Sequence, residues 1–169
     1  MEKQNETAES SLKTYILENT PARIRERCAH LKEYAQTHTF GALDADVVVL
    51  DTETTGFSFN HDELIQIAAA RMCNGEIVEW YVTFVNPGKE IPDEVAHLTN
   101  IHEEDVADAP DPDAALAGLV DFVGDSLVVA HNVGFDRTFV TKRAAGATLK
   151  NNIWIDSLDL ARISLPRLN

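Results

Sequence analysis

Asp51 and Glu53 are two carboxylates separated by one residue at the end of the apolar run Val47-Val48-Val49-Leu50. In an extended strand side chains alternate between faces, so these two acids project to the same side, about 7 Å apart along the backbone. Two like charges at that spacing raise each other's pKa unless a cation neutralises them, which makes the pair half of a site for a hard divalent metal. A plainer reading is a strand end carrying two solvated acids, followed by a turn at Gly56. A third acid, Asp136, lies in Ala130-His131-Asn132-Val133-Gly134-Phe135-Asp136, directly after the apolar stretch Ser126–Ala130. That places it in the first turn of a helix leaving a strand end, where open α/β sheets gather ligands. Asn132 and Asp136 also suit ordinary loop and capping positions.

The elements that must carry these residues follow from periodicity and punctuation. Residues 46–51, 63–72 and 76–85 read as strands, the last two joined by Cys73-Asn74-Gly75 with Asn-Gly as a hairpin signal. Asn86-Pro87-Gly88 stops the run. Helices are expected at 92–98, 103–107 and 112–124, the last capped by Asp111 and opened by Pro112. A strand at 126–130, a helix from Gly134 to Ala145, a strand at 152–155 and a helix capped by Asp156 complete the pattern. Three consecutive strands followed by alternating helix and strand predict a mixed α/β sheet with an antiparallel edge and a parallel centre. Upstream, residues 1–11 lack apolar periodicity and read as a disordered tail. Thr20-Pro21 opens a helix whose stripe Ile24, Cys28, Leu31, Ala35 ends near His38, within an extension over 12–45. The remainder, 46–169, forms the principal domain.

Composition narrows the function. The 169 residues carry a net charge of −14, which argues against a protein that grips nucleic acid through a broad basic face. An enzyme holding a few nucleotides through bound cations remains compatible with that charge. No run of eighteen apolar residues or signal-like N-terminus is present, so a cytoplasmic protein without membrane attachment is expected. Cys28 and Cys73 match no metal or redox spacing and read as small reduced apolar residues.

Taken together, Asp51-Thr-Glu-Thr-Thr-Gly56 and His131-Asn-x-x-Phe135-Asp136 resemble the first two motifs of the DnaQ-like, or DEDD, 3′→5′ exonucleases. The likeness is greatest to the proofreading branch that includes the DNA polymerase III epsilon subunit and PolC. Leu98-Thr99-Asn100-Ile101 and Ile155-Asp156-Ser157-Leu158 extend the similarity across about residues 46–165. The resemblance implies a ribonuclease H-like sheet binding two Mg²⁺ or Mn²⁺ ions. Asp51 would bridge both, Glu53 would hold the water-bearing ion and Asp136 would support the other. Attack on the last phosphodiester of a single-stranded DNA 3′ end, or an RNA end, would release a nucleoside 5′-monophosphate. Backbone groups at Thr54 and Thr55 would hold the terminal 3′-hydroxyl, with Gly56 permitting a sharp turn. Phe57 and Leu98 would meet the final base, and His131 and Asn132 would shape the loop before Asp136. A polymerase or replication partner is implied; the basic residues Arg137, Lys142, Arg143 and Lys150 fit equally a set that meets upstream phosphates and a solvated helix face.

The family's third motif contributes a further Asp and a His or Tyr base. No such His-to-Asp or Tyr-to-Asp pair is found after Asp136, since no His follows His131 and no Tyr follows Tyr81. His131 and Asp136 have the spacing of that motif, but assigning them to it would leave the second motif without its acid. The expectation is a C-terminally incomplete exonuclease domain with little activity of its own. Two other readings are a non-catalytic module of a polymerase or repair complex and, less well matched, a haloacid-dehalogenase-type phosphatase, for which Glu53 is the wrong residue.

Overall fold

The computed structural model describes residues 46–164 and, before them, Pro21, Ala22, Glu26 and Ala29. The chain divides into two compact units, Ala42–Asp156 and a second formed by Met1–Gly41 with Ser157–Asn169. In the second unit Ala22, Glu26 and Ala29 are helical and exposed. The expected stripe Ile24, Cys28, Leu31, Ala35 and the expected tail lie outside the described residues. Helix α5, Ser157–Ser164, carries Asp159 in its first turn, 3.5 Å from Arg162. Among the described residues no helix is long and apolar enough to cross a membrane.

The first unit is built on a five-stranded sheet in the order β3-β2-β1-β4-β5. Strands β1 (Val47–Thr54), β2 (Leu64–Cys73) and β3 (Glu76–Phe84) form an antiparallel meander. Strands β4 (Leu127–Ala130) and β5 (Trp154–Asp156) add parallel to β1, so the parallel pairs reach the opposite edge rather than staying central. The Asn74-Gly75 turn has φ of 53° and 80°, the left-handed pair that a two-residue hairpin requires. Cys73 beside it is a free thiol.

One face of the sheet is covered. Val48 and Leu50 of β1, Leu64 and Ile67 of β2 and Val128 of β4 are each no more than 2% exposed, in one core with Leu116, Leu119 and Phe139 from the helices that follow. Helix α3 (Pro112–Val123) starts as the sequence predicts, with Asp111 Oδ1 accepting from the Ala114 N–H at 2.9 Å. A register shift at Glu53/Thr54 sends Leu64 into this core and Ile65 into a smaller one with Ile91, Ile101 and Val106. The smaller core seats α1 (Asp93–Thr99) and α2 (Glu103–Val106).

Helix α4 (Gly134–Thr141) is shorter than expected, ending before a 3₁₀ segment at Ala144–Asn151. The reason is close packing. A Cβ on Gly146 would lie 1.8 Å from the Val140 carbonyl oxygen, so the chain folds back onto the helix end where only glycine fits. Gly146→Ala is therefore expected to destabilise the protein by about 1–3 kcal/mol, checked by urea unfolding.

Candidate active site

β1 runs three residues further than predicted, because Thr52 to Thr54 continue to pair with β2. Asp51 and Glu53 thus sit inside the strand rather than beyond it. They occupy its open face, while Thr52 and Thr54, each 7% exposed, point into the covered side. Asp136, in the first turn of α4, is only 3% exposed and accepts a hydrogen bond from Thr52 Oγ1 at 2.8 Å. The second motif therefore meets the first through the strand residue between its two acids.

Burial, followed by the charge of Asp51, raises the pKa of Glu53. Asp136 is pushed up to about 6, first by burial and then by Asp51, against the lowering effect of the Thr52 hydrogen bond. Asp51 is thus the group whose charge bears on both other acids. The donor set is all carboxylate oxygen, the chemistry of Mg²⁺ and Mn²⁺ sites, and its uncompensated charge fits such ions. Among the described residues no three His, Cys, Asp or Glu side chains converge into a ready-made cage for one ion. The charge of Asp51 is felt by both Glu53 and Asp136.

The remaining predicted residues fall into two groups. Phe57 and Leu98 are 83% and 79% exposed. His131 is exposed, and Asn132 has φ of 58° and donates its N–H to Asp156 Oδ1 at 3.0 Å. Asp156 closes β5 and anchors that turn. The β1–β2 loop requires two corrections. The Thr55 N–H already donates to the Glu63 carbonyl at 2.8 Å, so that amide is committed within the loop rather than offered to a 3′-hydroxyl. Gly56 is not in the left-handed region; a Cβ there would lie 2.5 Å from Asp62 Oδ2, so the carboxylate would have to shift.

The basic residues also differ from expectation. Lys142 and Arg143 lie 3.4 and 3.1 Å from Glu63 Oε2, and an Arg137 guanidinium N–H donates to the Lys150 carbonyl at 3.1 Å. The first two therefore pin the β1–β2 loop to the end of α4 and already have an acidic partner. Sequence reading missed Thr52, Asp62 and Glu63. Only Thr52 left a signal, as a hydroxyl at a position the alternation assigns to the covered face.

Comparison with known proteins places these features among exonucleases. The family model RNase_T, described as exonuclease, matches residues 48–169. The chain is 42% identical over 129 residues to a PolC-type DNA polymerase III of Clostridium perfringens (strain 13 / Type A), covering 75% of this chain and 9% of that protein. It is 37% identical over 121 residues to the Staphylococcus aureus counterpart, covering 70% and 8%. The chain thus spans less than a tenth of the length of these relatives. Among solved structures, Exonuclease X in complex with 5′ overhanging duplex DNA superposes with TM-score 0.56 at 26% identity, over 73% of this chain and 66% of that one. E. coli Exonuclease I in complex with a dT13 oligonucleotide gives TM-score 0.61 at 20% identity, over 73% and 31%, a likeness of fold. The fold is the ribonuclease H-like exonuclease sheet.

Proposed function

Because the chain belongs to the RNase_T exonuclease family, we propose that it forms the 3′-end-binding and metal-holding part of a 3′→5′ exonuclease of the proofreading type. The observation that carries this reading is the hydrogen bond from the Thr52 hydroxyl to the buried Asp136 carboxylate, which brings the second-motif acid to the strand that presents Asp51 and Glu53. Two divalent cations, when bound, would supply an activated water and neutralise charge on the leaving 3′-oxygen. Asp51, Glu53 and Asp136 are the residues that would hold them, Asp136 being kept in orientation by the Thr52 hydroxyl. Phe57, largely exposed at the tip of the β1–β2 loop, offers a face for the terminal base. The PolC-type DNA polymerase III relatives support a replicative polymerase as the partner, and the DNA complex of Exonuclease X supports a DNA end as the substrate.

The test uses the 169-residue chain with a 5′-labelled single-stranded oligonucleotide and Mn²⁺. The expected result is cation-dependent binding that requires a free 3′ end. Slow shortening from that end should accompany it, both lost in Asp51→Asn. Binding indifferent to cations and to the strand end would instead support a non-catalytic module.

A further inference from the structure

Beyond the three acids, the densest polar network surrounds the β1–β2 loop, residues 55–63. Its centre is Asp62. One carboxylate oxygen accepts from the Thr55 hydroxyl at 3.0 Å and the other from the Ser58 N–H at 2.9 Å. Lys89 Nζ approaches the first at 3.4 Å, and the Asp62 N–H returns to the Ser58 carbonyl at 2.8 Å. Burial alone would raise the pKa of Asp62, but these donors, from Ser58, Thr55 and Lys89, lower it, so the network favours the carboxylate form. From the far side Lys142 donates to the Asp62 and Phe59 carbonyls.

What the network holds in place is an apolar ring in water. Phe57 lies between Thr55, which is 2% exposed, and Ser58, and is itself 83% exposed. Its ring pairs with Phe135 at 6.0 Å between centroids and 60° between planes, a contact at one side that still leaves most of the ring exposed. Keeping a phenyl ring exposed costs free energy, and a fixed loop that does so reduces the ordering cost of binding whatever the ring receives. Gly56 completes the fit, since a Cβ there would lie 2.5 Å from Asp62 Oδ2 and displace the carboxylate from this position.

We propose that Asp62 is a positioning residue for the 3′-terminal nucleotide, acting through Phe57 by locking Thr55, Gly56 and Ser58 in the shape that presents the ring. This rests on the end-binding function proposed above. Asp62 touches no reacting atom.

The experiment measures fluorescence-anisotropy affinities of the whole chain in Ca²⁺ for a short linear oligothymidylate and for the same sequence circularised. Asp62→Ala and Phe57→Ala should each weaken binding to the linear strand about tenfold and leave binding to the circle unchanged. The double variant should be no weaker than either single one, because Asp62 acts through the ring. Asp62→Asn, which keeps an acceptor for Ser58, should recover part of the loss. Should Asp62→Ala fail to fold, Gly56→Ala, which displaces the carboxylate, is expected to give the same loss. Linear-strand preference unchanged in Asp62→Ala and Gly56→Ala would overturn the proposal alone, as would losses that multiply in the double variant. Equal wild-type affinity for the linear and circular strands would overturn both the proposal and the end-binding reading beneath it.

Discussion

Asp136→Asn should make the metal-free protein more stable at pH 7.5 than the wild type, while abolishing its stabilisation by Mg²⁺ or Mn²⁺. Asp136 is 3% exposed, and its folded-state pKa is about 6 against an ordinary value of 3.8. The folded protein therefore holds a proton that the unfolded chain releases near pH 4. The stability contributed by the protonated form is complete below about pH 4 and is lost as pH rises through about 6. Above that, ionising the buried carboxylate costs on the order of 3 kcal/mol. Asparagine keeps an oxygen for the Thr52 hydroxyl, which donates to Asp136 at 2.8 Å, and removes the charge. In EDTA at pH 7.5 the variant should melt higher by about 5–10 °C, and near pH 4 the two proteins should converge. Added divalent cation should raise the melting temperature of the wild type only, by linkage to binding. A variant that melts lower at pH 7.5, or that still responds to cation, would remove Asp136 from the metal-holding set.

The same residue shows which parts of the site a linear reading reaches. The one-residue spacing of Asp51 and Glu53 translates directly into a shared strand face, and the step from a strand into Gly134-Phe135-Asp136 places the third acid in a first turn. Those are local rules, as are the Asn74-Gly75 hairpin and the Asp111 cap, and the structure shows each in place. The connections between them are long-range. Thr52 and Asp136 are 84 residues apart, and Lys142 reaches back 80 residues to the Asp62 carbonyl. Periodicity says which side of a strand a residue faces, but not which distant group will be there. Lys142 and Arg143 thus read as phosphate-binding or simply solvated residues, while in the fold Glu63 occupies them. Gly56 likewise reads as a turn glycine, because the carboxylate that a Cβ would crowd belongs to Asp62 on the return of the loop. The early end of α4 has the same origin, in the approach of Gly146 to Val140.

Phe139→Ala should lower stability by about 3–5 kcal/mol and also weaken cation binding, whereas a comparably buried residue elsewhere should affect stability alone. Phe139 is 0% exposed and lies one helical turn beyond Asp136. Its ring packs at 5.2 Å from Phe59 of the β1–β2 loop and 4.9 Å from Phe135, and Lys142 Nζ stands 4.7 Å from its centroid. Truncation therefore opens a cavity where α4 meets the loop, and the helix that carries Asp136 loses the contact that fixes its rotation. Leu116 is also 0% exposed and in the same core, but it belongs to α3. Leu116→Ala should cost about 2–5 kcal/mol without moving the acids. Urea unfolding of both variants with and without Mg²⁺ separates the effects. The cation-dependent increment in unfolding free energy should match the wild type in Leu116→Ala and shrink in Phe139→Ala. Equal increments in the two variants would mean that α4 positions Asp136 without help from the aromatic cluster. The expected inequality would mean that the same ring stabilises the core and orients the acid, so the penalty of burying Asp136 is sustained by the packing that makes it usable.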